Sequence, residues 1–257
     1  MVAILGVAAQ PSPDKVLTIA AASDLQMALP EVVAAYERTT GNRVRVSFGS
    51  SGNLFAQIQN GAPFDVFLSA DVDYPRRLEA AGLTRKDSLS VYASGHIVVW
   101  TPKGSPLNIE HLGLKGLTAA DAKRIAIANP AHAPYGRAAQ AALKHAGIYE
   151  QVKSKLILGE NISQAVQFVH TGNAQAGIIA LSMAKSPRLQ DLGHYWVVPQ
   201  EFYPRMEQAA VVLKSSKKSL IAEEFMQFLL SPAGAAILKR FNFEVPERKL
   251  HPQQAKP

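Results

Sequence analysis

Cysteine is absent from this chain of 257 residues. No disulfide, thiolate metal site, cysteine nucleophile or lipid-modified cysteine is therefore open to it. The absence leaves the compartment open, because an oxidising space permits disulfides without requiring them. Charged residues are scarce at 18% and aromatics at 7%, against 47% hydrophobic. A chain this apolar is not disordered, and it is long enough for one large core or two smaller ones. Long hydrophobic runs are also missing: none reaches the roughly 18 uninterrupted apolar residues of a membrane-spanning helix. Acidic residues are the scarcer sign, 20 against 27 basic ones, for a net charge of +7. A basic balance suits an anionic partner. Here it is diluted along the chain and lacks interleaved aromatics, so nucleic acid is not an expected partner.

The first ten residues are apolar and end on the small residues Val7-Ala8-Ala9 before the break at Pro11-Ser12-Pro13. They read as the end of a secretory signal whose basic front part is missing, and residues 1–15 are expected to be a signal remnant or tail. Residues 248–257 are polar and read as a solvated end.

Between these ends the chain alternates short apolar runs with helical periodicity. Val16–Ala22 reads as a buried strand of the parallel type, and Ser23 suits the N-cap of a helix carrying Val32, Val33 and Tyr36 up to Gly41. Pro30 must kink that helix or start a second. Strands follow at 43–48, 65–69, 96–100, 124–128, 155–158 and 177–181. Gly49-Ser50-Ser51-Gly52 turns the chain into a helix carrying Leu54, Phe55 and Ile58 and stopped by Gly61, and further helices follow near 77–81, at 136–145 and at 162–170. This alternation predicts an α/β fold of mostly parallel sheets flanked by helices. The last third differs, with a strand at 205–213, a helix at 220–230 capped by Ser219, and a second at 233–240 beyond Ser231-Pro232. Breaks at Thr101-Pro102-Lys103-Gly104-Ser105-Pro106 and at Phe202-Tyr203-Pro204 each adjoin an apolar strand. If both strands cross between lobes, residues 16–98 and 207–257 form a discontinuous first lobe and 99–206 a second.

Four strand-to-helix junctions share one chemical character: Ala22-Ser23-Asp24, Gly49-Ser50-Ser51-Gly52, Pro134-Tyr135-Gly136 and Glu160-Asn161-Ile162. A helix start presents unpaired N–H groups and the positive end of the helix dipole, which suits an anion. In open α/β sheets, ligands bind at the carboxyl ends of the strands. Taken singly, each junction is more often just a capped helix. Other chemistries lack their residues. Gly49-Ser50-Ser51-Gly52-Asn53 carries neither the Gly-Lys-Ser/Thr of a phosphate loop nor the spacing of a dinucleotide or hydrolase motif. The seven histidines are scattered without a metal-binding pair. Asp65, Asp71 and Asp73 could suggest a divalent metal, although Asp71 and Asp73 fit helix capping better.

At these junctions the chain resembles the periplasmic molybdate-binding proteins of ABC importers, which have the two-lobed type II solute-binding fold. The resemblance is carried by AAASDL at 20–25, VSFGSSGNL at 46–54, NGAPFDVFLSAD at 60–71, ANPAHAPYGR at 128–137, GENISQ at 159–164 and AGII at 176–179. It spans about 16–243. It implies two lobes closing over one tetrahedral oxyanion held without counter-charges, with Ser23, Ser51, Tyr135 and Ile162 at the positions that contact it. It also implies a periplasmic receptor for molybdate and tungstate that serves an inner-membrane permease. No catalytic residue is expected, nor a cofactor or a metal beyond the molybdenum of the ligand, and the chain is expected to be a monomer. Rival readings are a receptor for sulfate or phosphate, a regulator's effector domain, and a hydrolase using Ser51.

Two departures stand out. Many relatives carry a tyrosine donor after the Gly-Ile-Ile strand, where this chain has Ala180. Tyr135 or Ser182 could replace it. Asp24 follows the first ligand serine, and a carboxylate there is expected to face away and support the helix start. Pointing inward, it would suit a protonated oxyanion such as phosphate.

Overall fold

The computed structural model describes residues 16–247, so the expected signal remnant at 1–15 and the tail from 248 lie outside the described residues. The strands along the chain are β1 (Val16–Ala22), β2 (Arg43–Gly49), β3 (Val66–Ser69), β4 (Ser90–Gly95) and β5 (Ile97–Pro102). They continue with β6 (Ile125–Ala128), β7 (Leu156–Gly159), β8 (Ala176–Ala180), β9 (Gly193–Val197) and β10 (Met206–Val212). The helices are α1 (Leu29–Thr40), α2 (Ser51–Gln59), α3 (Asp73–Ala80), α4 (Ile109–Leu112) and α5 (Pro134–His145). After them come α6 (Tyr149–Val152), α7 (Ile162–His170), α8 (Leu181–Ala184), α9 (Ser219–Leu230) and α10 (Pro232–Arg240).

Two five-stranded sheets result, ordered β2-β1-β3-β10-β4 and β7-β6-β8-β5-β9. In each, four strands share a direction and one, β10 or β5, runs against its neighbours. The expected mostly parallel, helix-flanked α/β architecture is therefore present, with one reversed strand inserted in each sheet. Those reversed strands are the ones the sequence picks out beside its Pro-rich breaks. The chain leaves the first sheet at His96, between β4 and β5, and returns through 198–205 into β10. Ile97 and Val98 already pair within the second sheet, just ahead of the expected division at 98/99.

Two strands escape the sequence reading, as do the four-residue helices α4, α6 and α8. β4 (sequence SVYASG) is rich in small residues and merges with β5 into one run, because a single residue separates them. β9 is a short, half-exposed edge strand without a buried apolar face. Pro30 starts α1 in its first turn, where a missing N–H costs nothing. Ser219 makes no side-chain cap of α9, whereas Ser231 accepts from the Gly234 amide at the start of α10.

The first sheet is covered on both faces. One side packs Leu17, Ile19, Val66 and Leu68 against α1 and α9 residues including Tyr36 and Phe225. The other packs Ala20, Phe67 and Val211 against Leu54, Phe55 and Ile58 of α2. The second sheet buries Trp100, Ile125, Ile127 and Ile178. Phe225 is fully buried and meets Tyr36 edge-to-face at 5.3 Å. Truncation Phe225→Ala should cost about 3–5 kcal/mol in urea unfolding. Leu220→Ala on the same helix, at an 80% exposed position, should stay within about 0.5 kcal/mol.

Candidate functional site

The carboxyl ends of β1, β2, β6 and β7 lead into the four junctions, and each junction starts differently. Ser23 opens a short 3-10 turn (Ser23–Gln26) and makes no side-chain cap, so the N-cap expected of it is not there; the α-helix begins at Leu29. At the second junction the cap is Ser50, whose Oγ accepts from the Asn53 amide at 3.3 Å. Ser51 is then the first helical residue. Its Oγ accepts from the Ala70 amide at 3.0 Å, which leaves the hydroxyl proton free to be donated elsewhere. Pro134 and Tyr135 open α5. Asn161 caps α7 by accepting from the Ser163 and Gln164 amides, so Ile162 contributes a first-turn amide without an intrahelical acceptor.

Ser23, Ser51, Tyr135 and Ile162 all line one small cavity of about 10 Å³, room for about one water. Each is at most 3% exposed. No lysine, arginine or histidine lines it; Asp24 is the one ionisable acid there. Arg137, two residues beyond Tyr135, is occupied by Asp71 Oδ2 at 2.5 Å and by the Tyr74 hydroxyl at 3.1 Å. Hydroxyls, helix-start amides and apolar surface therefore make up the rest of the wall. Such a wall can desolvate and hydrogen-bond a small anion.

The cavity lies where the two sheets' elements meet. The Gly52 amide donates to the His132 carbonyl at 2.9 Å, and a Cβ at Gly52 would come within 2.5 Å of that oxygen. Ser50 Oγ and His132 Nδ1 lie 2.9 Å apart. Asn53 Nδ2 donates to Glu160. Ser163 Oγ reaches the Ser23 carbonyl at 3.1 Å and Gln26 Oε1 at 2.6 Å. The histidine that a hydrolase would need thus sits on Ser50, the helix cap, rather than on Ser51. None of these contacts was legible as a pair in the sequence, because the partners across the seam are 80 or more residues apart.

Asp24 does not face away, as expected, although the Asp24 and Leu25 backbone amides at the start of the turn still help to hold its charge. It is buried between the sheets, where Oδ2 accepts from the Tyr135 hydroxyl at 2.9 Å and from Gln208 Nε2 at 2.6 Å. Gln208 Oε1 in turn accepts from the Tyr92 hydroxyl at 2.9 Å. Burial pushes the Asp24 carboxyl up from 3.8 to about 6, against the opposing pull of the Gln208 and Tyr135 hydrogen bonds. Gly95 is required beside this group, since a side chain there would collide with the Tyr135 hydroxyl. Gln208 carries the one sequence signal that could have announced it, a polar residue beside Glu207 in a strand that is apolar elsewhere, and its side chain is fully buried.

This geometry also settles the replacements considered for Ala180. The Tyr135 hydroxyl is spent on Asp24, and the Ser182 hydroxyl donates to the Asp24 backbone carbonyl at 3.3 Å. The three aspartates considered for a metal are dispersed. Asp65 binds Thr18 and Ser216, while Asp71 accepts from the Asp73 amide and pairs with Arg137. Among the described residues no group of three His, Asp or Glu side chains is placed to hold a metal ion.

Residues 17–244 match the family model of bacterial extracellular solute-binding proteins. The molybdate-binding protein ModA of Azotobacter vinelandii is 37% identical over 225 residues, 88% of each chain. That of Rhodobacter capsulatus is 34% identical over 240 residues, 93% of this chain and 92% of the relative. The solved structure of the Azotobacter vinelandii periplasmic molybdate-binding protein superposes with a TM-score of 0.85 at 31% identity, covering 90% of this chain and 100% of that one.

A carboxyl whose pKa is raised on folding destabilises the fold when ionised. The stability penalty should therefore be absent below pH 4, grow through the interval from 3.8 to about 6, and be complete at pH 7. Its full size is about 3 kcal/mol, at about 1.4 kcal/mol per pKa unit. Asp24→Asn should raise stability at pH 7.5 by up to that amount and give no gain at pH 4, as read by urea unfolding without ligand.

Proposed function

The chain belongs to the bacterial extracellular solute-binding proteins, and we propose that within this family it is a periplasmic receptor that captures molybdate, and equally tungstate, for an inner-membrane ABC permease. The observation that carries the reading is the convergence of Ser23, Ser51, Tyr135 and Ile162 on one dry cavity without a cationic side chain. Relatives that resemble the chain over nearly its whole length are named for molybdate. In this reading the Ser51 hydroxyl and the first-turn amides of α2, α5 and α7 replace the water shell of a tetrahedral dianion. Ser23 supplies the second hydroxyl. The two sheets are the bodies of two lobes, divided at His96 and within 198–205, and they close over the anion as a monomer with no cofactor.

Selectivity follows from the donor set. Apart from Asp24 the ring is made of donors, and where Asp24 is itself protonated the O–H of a protonated phosphate is left unpaired. A ring sized for a larger oxyanion holds sulfate at longer, weaker distances. The net charge of +7 favours anion approach in general but does not choose among anions.

A thermal-shift panel tests the ligand class. Molybdate and tungstate should each raise the melting temperature, because a ligand that binds only the folded state stabilises it in proportion to the logarithm of its concentration over Kd. Sulfate and phosphate should shift it far less, and equal shifts from all four would defeat the size argument. Ser51→Ala removes a hydroxyl donor to a buried dianion, and calorimetry should record a loss of about 1.5–3 kcal/mol, or about 10- to 150-fold in Kd. The same variant strips the Ala70 amide of its acceptor, so its melting temperature should fall as well. Undiminished affinity would place the anion elsewhere.

A further inference from the structure

Asp24 is part of the cavity wall, yet a set of neutral donors has no use for a carboxylate. The side chain is 1% exposed. Both side chains that bond it, Tyr135 and Gln208, do so at Oδ2; the Asp24 and Leu25 amides also favour its charge, yet the buried Oδ1 has no hydrogen bond among the described residues. Every group that faces it is neutral. Tyr135 approaches from α5 and Gln208 from β10, with Tyr92 of β4 behind Gln208. Ser182 of α8 touches its backbone carbonyl, and Tyr203, from the crossing segment, binds the Ile97 amide close by. Burial and the neighbouring Asp24 charge hold the hydroxyls of Tyr135 and Tyr92 well above their ordinary range, so both keep their protons. Asp24 is thus the one member of this group that can change charge near neutral pH.

A dianion captured in this cavity would stand beside an ionised carboxylate with no cation to separate them. Like charges in one desolvated site do not both persist; the group that can take a proton takes it. We propose that Asp24 binds one proton from solvent when the cavity captures its oxyanion, so that anion and proton enter together and leave together. This rests on the oxyanion reading above. The carboxylate becomes a carboxylic acid, no bond within the anion changes, and the proton returns to solvent on release. Protonation also gives the unpartnered oxygen something to donate. In the empty cavity the carboxyl already sits at about 6, and a neighbouring dianion can only raise it further.

Calorimetry with molybdate, repeated in buffers of different ionisation enthalpy, counts the protons exchanged. Wild type at pH 7.5 should take up close to one proton per anion, and close to none below pH 5, where the carboxyl is protonated beforehand. Across the interval between the empty and loaded pKa values, Kd should rise by up to about tenfold per pH unit. Asp24→Asn should exchange no proton at any pH and lose that dependence, because its amide oxygen can keep both accepted bonds while its NH2 replaces the acid. Tyr135→Phe, which removes one donor to the carboxylate, should move the onset of uptake to higher pH. It supplies the test if Asp24→Asn fails to fold. Molybdate binding without buffer-dependent heat would overturn the proposal, as would equal uptake by Asp24→Asn. Phosphate bound without proton exchange, and lost in Asp24→Asn, would mark an ionised acceptor and overturn it too. No molybdate binding by wild type would instead defeat the oxyanion reading itself.

Discussion

The helix N-terminus is the physical device on which this molecule depends. A helix leaves its first amides without intrahelical acceptors, and something must satisfy them. Here α2, α5 and α7 begin at the carboxyl ends of β2, β6 and β7, and their starts open on one cavity with the turn that follows β1. Parallel strands make this possible, since strands that share a direction deliver all their helix starts to one edge of the sheet. The reversed strands β5 and β10 do a different job. Each lies inside one sheet while its chain arrives directly from the other, which ties the two cavity walls together.

Around the cavity, polar contacts across the seam are numerous and individually modest. The Gly52 amide on the His132 carbonyl, Asn53 on Glu160, and Ser163 on Ser23 and Gln26 each join elements of different sheets. Hydrogen bonds of this kind exchange readily for bonds to water, so each contributes about 1 kcal/mol. The apolar side chains of the first sheet's side that join the second cluster across this seam are Ala22, Ala70 and Met206, while Phe225 and Trp100 are buried within separate clusters. That division of labour suits a receptor that must enclose its ligand completely and still release it.

How much of this was legible in the sequence follows from what each feature depends on. The strand–helix alternation and the four junctions are local, written in apolar runs and capping residues, and they appear where expected. Ser23 makes no cap and Ser50 caps α2, because a helix start can be set one or two residues to either side of a serine, and packing decides which. β4 was hidden by its single-residue link to β5. The Asp24–Tyr135–Gln208 group was unreadable for a stronger reason. Its members are separated by 111 and 73 residues, and Asp24 beside a serine at a helix start has an ordinary local explanation, which the fold overrides. Polar residues entering a strand that is apolar elsewhere, as Glu207 and Gln208 do, are the kind of local inconsistency that points to a buried network.

The two departures from the family resemblance become one when the side chains are followed. Ala180 withholds a tyrosine hydroxyl from the end of β8, and Tyr135 brings one from the start of α5. That second hydroxyl is not a substitute, because it donates to Asp24 Oδ2 and has no second proton to give. What it does is fix the carboxyl. Held by Tyr135 and Gln208 through one oxygen, Asp24 keeps its other oxygen buried and without a partner. A carboxylate in that state is a poor neighbour for an anion, whereas a carboxylic acid in the same place is a donor of the kind that Ala180 lacks. In the proposed proton uptake, the absent tyrosine and the buried aspartate would be complementary, a single proton making the second a replacement for the first.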